Sequence, residues 1–218
     1  MMSVAVINYD LSMVRWEPDA RGRLALAAMA LYGERGFDNT TVAEIAERAG
    51  LTERTFFRHF ADKREVLFEG AEVLQELLVT TVVDAPGSLA PIEAVGAGLQ
   101  AIGELLQERR DFSRQRQTII AASAELRERE LIKLASLSAA LADTLRRRGV
   151  PEPDASLSAE AGIAVFRIAF ERWVDEANEL ELPDLMRDSL DHLRAVTSGA
   201  SRARAGAARP GAASRGRR

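Results

Sequence analysis

Two arginines four residues apart, Arg54 and Arg58, are the side chains whose type and spacing best match a definite chemistry. On a helix this spacing places both guanidiniums on one face, where their forked donors suit phosphate oxygens and the O6/N7 edge of guanine. At 100° per residue Phe56 and Phe60 point the opposite way, into a core, and Thr55 and Phe57 flank the arginines. Thr52 stands where an N-cap would start this helix and Thr41 where one would start the helix before it, so both starts can aim backbone N–H groups at phosphates. His59, Lys63 and Arg64 add polar and basic groups at the far end. Two arginines alone would more simply be a solvated face; the caps and core pattern around them favour a binding surface.

Other chemistries find no support. The imidazoles are His59 and His192, more than a hundred residues apart, and there is no Cys. A metal cluster, a disulfide, a thiol nucleophile and a Ser/His/acid triad are therefore not expected, and neither an enzyme nor a cofactor is implied. Gly96-Ala-Gly98-Leu-Gln-Ala101 matches the loose dinucleotide fingerprint, but no strand precedes it and no βαβ unit surrounds it, so it reads as coincidence. Asn39-Thr-Thr41 is a formal glycosylation sequon without meaning in a cytosolic protein.

The elements that must hold the arginines are helices. Thr41-Val-Ala-Glu44 is a capping box, and Val42, Ile45, Ala46 and Ala49 form one apolar face behind it. Gly50 closes that helix, Ala46 supplies the small side chain that a close crossing needs, and Leu51-Thr52 restarts the chain. Two helices of about eight residues around a turn centred on Gly50 have the dimensions of a helix-turn-helix. Upstream, Glu17-Pro-Asp19 opens a helix with Leu24, Ala28, Leu31 and Tyr32 on its inner face, closed by Gly36. Downstream, Asp62-Lys-Arg-Glu65 reads as a second capping box that opens a long helix over about 63–83, a natural lever between the two ends of the chain.

The run from Arg35-Gly-Phe-Asp-Asn-Thr-Thr-Val-Ala-Glu-Ile-Ala-Glu-Arg-Ala-Gly50 through Leu51-Thr-Glu-Arg-Thr-Phe-Phe-Arg-His-Phe60, followed by Asp62-Lys63, closely resembles the DNA-binding region of the TetR family of bacterial transcriptional regulators. The resemblance covers about residues 18–75. It implies a three-helix DNA-reading domain whose 53–60 helix enters the major groove, on an all-helical homodimer that senses a small molecule. Many relatives carry Tyr at position 57, with a hydroxyl for phosphate; Phe57 offers apolar contact alone. Thr41, Thr52, Arg54, Thr55, Phe57, Arg58, His59 and Lys63 are the expected DNA-contacting residues.

The chain of 218 residues has 47% hydrophobic and 28% charged residues, ample for a core. Its formal charge of −4 hides an asymmetry: 6 of the 29 basic side chains are arginines after Ser198, where no acid occurs. Any nucleic-acid site must therefore be a local patch. No run approaches the length of a membrane span, and the start lacks the basic region of a signal peptide; no membrane partner is expected. Periodicity is helical throughout, giving an all-α fold: 1–14 disordered, 15–65 the helix-turn-helix DNA-binding domain, 66–198 a helical ligand-binding and dimerisation domain, and 199–218 a disordered Arg-rich tail that could add sequence-independent DNA affinity.

Within the larger domain a charged helical region spans about 111–148, and the stretch within about 158–178 is apolar nearly all round, so it needs cover on more than one side. With a helix over about 182–197 it could form a four-helix interface between two chains, using Ala161, Gly162, Val165, Ala169, Trp173, Met186, Leu190 and Leu193. A pocket for a small apolar or amphipathic effector would be lined by Leu105, Phe112, Ile119, Phe166 and Phe170, with Gln117 or Arg167 as polar handles. The reading is a cytoplasmic, dimeric repressor that binds a palindromic double-stranded operator and is released by its effector. An all-helical small-molecule-binding protein or enzyme with a non-functional helix-turn-helix, or an adaptor whose arginines meet an acidic partner, stays open at this point.

Overall fold

Asp19 starts the first helix by accepting the Gly22 backbone N–H at 2.8 Å, and Gly36 ends it. Residues 19–198 are described in this computed structural model; the expected disordered stretches 1–14 and 199–218 lie outside them. Among the described residues there are helices and no strands: α1 (Ala20–Arg35), α2 (Val42–Arg48), α3 (Glu53–His59), a 3-10 turn (Glu65–Phe68), α4 (Ala71–Asp84), α5 (Pro91–Gln107), α6 (Arg110–Ala122), α7 (Ala124–Arg147), α8 (Asp154–Val174) and α9 (Leu182–Thr197). None of these helices is long and apolar enough to cross a membrane. The chain divides into two compact units between Glu69 and Gly70.

The first unit packs α1 against α2, α3 and the 3-10 turn. Leu24, Ala28, Leu31 and Tyr32 are buried as the α1 spacing requires, with Phe37, Ile45, Phe56, Phe60 and Leu67 completing the core. Tyr32 donates its hydroxyl to the Lys63 carbonyl at 2.7 Å. Burial, aided by the nearby Asp62 charge, pushes its pKa far above the ordinary tyrosine range.

The long helix expected over 63–83 is not continuous. Asp62 Oδ1 does accept the Arg64 and Glu65 backbone N–H groups (2.8 and 3.2 Å), but the helix it caps is a single 3-10 turn that buries Val66, Leu67 and Phe68. Glu69 is then extended, and Gly70 takes a left-handed conformation (φ 83, ψ −6) that L side chains rarely adopt, so α4 begins afresh at Ala71. The charged region over 111–148 is likewise two helices. Ser123 turns the chain out of α6 and accepts the Leu126 N–H to start α7.

In the second unit α8 is covered by its own chain, packing on α5, α6, α7 and α9. Its core joins Leu78 and Val82 of α4, Val95 and Leu99 of α5, Leu141 and Leu145 of α7, Val165, Ala169 and Trp173 of α8, and Leu182 and Leu185 of α9. Small residues set the closest approaches: a Cβ on Gly98 would lie 2.5 Å from Leu78 Cδ1, one on Gly96 2.7 Å from Leu190 Cδ2, and one on Gly162 2.4 Å from Val95 Cγ1. The glycines of the loose dinucleotide fingerprint are thus helix-packing positions of α5. Arg110 and Arg114 of α6 close the C-terminus of α8, donating to the carbonyls of Trp173, Val174, Asp175 and Asn178. Arg148 does the same for α4, donating to Val82, Val83 and Ala85 at 2.8 Å and to Pro86 at 3.1 Å.

Candidate nucleic-acid interface

Both halves of the capping box are present at the start of α2. Thr41 N–H donates to Glu44 Oε2 at 2.8 Å and Glu44 N–H donates to Thr41 Oγ1 at 3.3 Å. These hydrogen bonds, with Arg35 beside the carboxylate, hold Glu44 below the usual glutamate range. At the other end Gly50 sits at φ 66. Its N–H reaches the Glu47 carbonyl at 2.9 Å and that of Leu51 reaches Ala46 at 2.8 Å, the paired bonds of a Schellman turn. Thr52 Oγ1 then accepts the Thr55 N–H at 3.2 Å and starts α3. Every link of this turn is closed by local hydrogen bonds, so the angle between α2 and α3 is fixed by short-range chemistry.

Burial fixes the rotation of α3. Phe56 is fully buried and Phe60 nearly so, their ring centroids 5.5 Å apart, and the Arg21 guanidinium lies over the Phe60 ring at 5.1 Å. The opposite face presents Glu53, Arg54, Phe57 and Arg58 to solvent. Arg21, Arg35, Arg48 and Arg64 of this unit are each paired with a carboxylate (Glu69, Glu44, Glu34 and Asp62). Arg54 and Arg58 form no ion pair among the described residues; Arg58 has only His59 Nε2 near it, at 3.4 Å. A short capped helix thus carries two unneutralised guanidiniums on a rigid base.

The other expected contacts are placed unevenly. Thr41 and Thr52 are exposed with their hydroxyls engaged as caps, Thr55 is half-buried with its hydroxyl 3.0 Å from that of Thr52, and His59 is half-buried. Lys63 is a correction. Its ammonium donates to the carbonyls of Phe37 (2.9 Å) and Thr40 (3.0 Å) and lies 4.2 Å from the Phe37 ring centroid, so it ties the loop after α1 to the segment after α3 instead of projecting as a free cation. Glu53 was not singled out from sequence. It lies 40° from Phe57 on the helical wheel, so the rotation that exposes Arg54 and Arg58 exposes Glu53 too.

In the second unit the expected residues separate into buried and exposed sets. Gly162, Val165, Ala169, Trp173, Met186 and Leu190, expected at a dimer interface, are buried within the single chain, and Ala161 and Leu193 are half-buried. The physical reason is the cover that α5, α6, α7 and α9 give to α8. The apolar side chains left exposed there are Leu157 and Ile168 of α8 and Val196 of α9. Of the expected pocket residues, Ile119 is buried and Leu105, Gln117, Phe166 and Phe170 are half-buried, but Phe112 and Arg167 face solvent. Ser113 and Ile120 take the inner face of α6, and helical phase turns Phe112 outward. Phe166, Phe170 and Trp173 form a ring ladder with centroids 5.7 and 5.6 Å apart. Gln117 Oε1 and Trp173 Nε1 are buried without a hydrogen-bond partner. A hollow of about 190 Å³ between α5 and α9, floored by Gly96, Leu99, Met186 and Leu190, lies apart from these residues. No cluster of three His, Asp or Glu side chains that could hold a metal occurs among the described residues.

Comparison with known proteins places this architecture. Residues 25–69 match the model described as bacterial regulatory proteins, tetR family, and residues 89–198, half of the chain, match the MftR C-terminal domain. The HTH-type transcriptional regulator TcmR of Streptomyces glaucescens is 33% identical over 82 residues, 38% of this chain and 36% of that protein. The HTH-type transcriptional repressor KstR2 of Mycobacterium tuberculosis is 43% identical over 49 residues, 22% of this chain and 24% of its own. The matches therefore span about a third or less of these curated relatives. Among solved structures, SmeT in complex with triclosan superimposes with a TM-score of 0.60 at 23% identity, over 81% of this chain and 90% of SmeT, a likeness of fold.

Proposed function

This chain belongs to the TetR family of bacterial regulatory proteins, and we propose that it is a sequence-specific transcriptional repressor whose α3 reads operator DNA in the major groove. The observation that carries this reading is the unneutralised pair Arg54 and Arg58 on a helix anchored by Phe56 and Phe60. Around them Phe57 and Glu53 complete the reading face, and the capped starts of α2 and α3 approach phosphates through Thr41, Thr52 and Thr55. The protein works in the cytoplasm on a palindromic site, as a homodimer.

The dimer face follows from what the monomer leaves uncovered. Leu157, Ala161, Ala164 and Ile168 recur at i, i+4, i+7 and i+11 along α8, beside the α9 face joined to it by Arg172 and Asp188 (2.8 Å). We assign the interface to this stripe with His192, Leu193 and Val196. Ile168→Asp places a charge there, and sedimentation should then show monomer; an unchanged dimer would move the interface elsewhere. The effector is a small apolar or amphipathic molecule held in the second unit among Leu105, Ile119, Phe166 and Phe170. Gln117 Oε1 and Trp173 Nε1, buried and unpartnered, are the acceptor and donor that its polar groups would meet.

The test is an electrophoretic titration on the DNA upstream of its own gene at several salt concentrations. Affinity should fall steeply with salt, by about 0.9 in log–log slope per phosphate contact. Arg54→Ala or Arg58→Ala should cost about 1–3 kcal/mol of binding where the arginine reads a base. Absence of binding there, or indifference to salt and to both substitutions, would overturn the proposal. An effector found by thermal stabilisation must bind less tightly in the presence of operator, by the same factor by which it weakens operator binding.

A further inference from the structure

We propose that Phe57 makes the protein select a pyrimidine 5-methyl group, that of thymine in ordinary DNA, at one position of each half-site. The inference rests on the reading of α3 as the DNA-facing helix. Two large apolar side chains stand exposed on the first unit among the described residues, Leu26 (54%) and Phe57 (55%). Leu26 lies on α1 at a shallow hollow shared with Ala27, Ala30 and Ala49. Phe57 stands on α3 with Arg54 one turn before it and Arg58 beside it.

Half-exposing a phenyl ring serves neither the core, whose place on α3 is already filled by Phe56 and Phe60, nor solubility. The ring is also propped: it meets the buried Phe56 ring edge-on, centroids 5.5 Å apart and planes 82° apart. A phenyl group neither donates nor accepts a conventional hydrogen bond, so it gains nothing from the polar edges of the bases. The apolar group displayed in the major groove is the 5-methyl of thymine. With the flanking guanidiniums suited to guanine or phosphate on either side, a ring at this position is a methyl reader within a polar face.

The full-length protein is first used to select duplexes from random sequence. A selected palindrome whose affinity depends on Arg54 or Arg58 establishes the DNA reading independently of Phe57. In that duplex each thymine is replaced in turn by uracil, which deletes the methyl and leaves pairing unchanged. One thymine per half-site should stand out, with uracil weakening binding about fourfold, the factor for one buried methyl, and about fifteenfold when both half-sites carry it. Cytosine at the same place should weaken binding, and 5-methylcytosine should recover the part due to the methyl. The Phe57→Ala protein, which loses no core residue, should bind the uracil and thymine duplexes alike while keeping its dependence on Arg54 or Arg58; Phe57→Leu should retain part of the preference. A flat uracil scan, or a uracil penalty undiminished in Phe57→Ala, overturns the inference while leaving the regulator intact. Failure to select any palindrome sinks the proposed function and the inference with it.

Discussion

Replacing Lys63 with Met removes an ammonium while keeping an apolar stem of similar length, and the structure sets what that should cost. Two hydrogen bonds go, to the Phe37 carbonyl at 2.9 Å and the Thr40 carbonyl at 3.0 Å, together with the cation–π interaction over the Phe37 ring at 4.2 Å. Charged hydrogen bonds contribute about 1.5–3 kcal/mol each and a cation–π interaction about 0.5–1, but Lys63 is half-buried, so water can replace part of both. A net loss of about 2 kcal/mol follows, and the methionine stem recovers little of it because the carbonyls need donors. Hydrogen exchange of the amides in Val42–Phe60 should then accelerate by about thirtyfold, the same free energy expressed as an opening equilibrium. In parallel, the slope of log affinity for operator against log salt should not change. If Lys63 instead held a phosphate, the slope would shrink by about 0.9 for each phosphate it no longer neutralises, while amide protection stayed the same. That second pattern would refute the internal role argued for Lys63.

Other perturbations probe the frame. Arg148→Ala strips donors from four carbonyls at the end of α4 and should destabilise by about 2 kcal/mol, about 4–8 °C in Tm for a body of this size, and Arg148→Lys should restore little because an ammonium cannot fork across four acceptors. Gly162→Ala sets a Cβ 2.4 Å from the stiff Val95 side chain, an overpacking cost of about 1–3 kcal/mol only partly offset by about 1 kcal/mol of better helix propensity. Thermal unfolding of Gly162→Ala with Val95→Ala should show the pair to be more stable than the sum of the single changes; additivity would mean the two do not touch. Asp62 is held below the ordinary aspartate range chiefly by its hydrogen bond from Arg64. Its contribution is therefore fully present above the ordinary aspartate pKa and is lost as pH falls through its own lowered value, so Asp62→Asn should flatten that acid limb in exchange protection of residues 62–68.

What could be read from the sequence was whatever is settled within a few residues. The Thr41–Glu44 box, the Gly50 turn, the Thr52 cap and the rotation of α3 about Phe56 and Phe60 all depend on hydrogen bonds or helical phase over at most five positions, and each is found where local chemistry put it. The span of α9 was legible for the same reason: apolar spacing marked Leu182–Thr197. Tertiary structure decided what depends on partners far along the chain. Lys63 meets carbonyls 23 and 26 residues away, so its type advertised a surface charge that packing then turned inward. Residues 63–83 had helical periodicity throughout, yet burial of Val66, Leu67 and Phe68 against α1 stops the first unit there and leaves Gly70 to reset the backbone. The all-round apolarity of α8 announced a need for cover without naming its source. Gly162 against Val95, 67 residues away, shows that the cover comes from the same chain, because a helix face is claimed by whichever surface fits it most closely, and sequence spacing alone does not encode that fit.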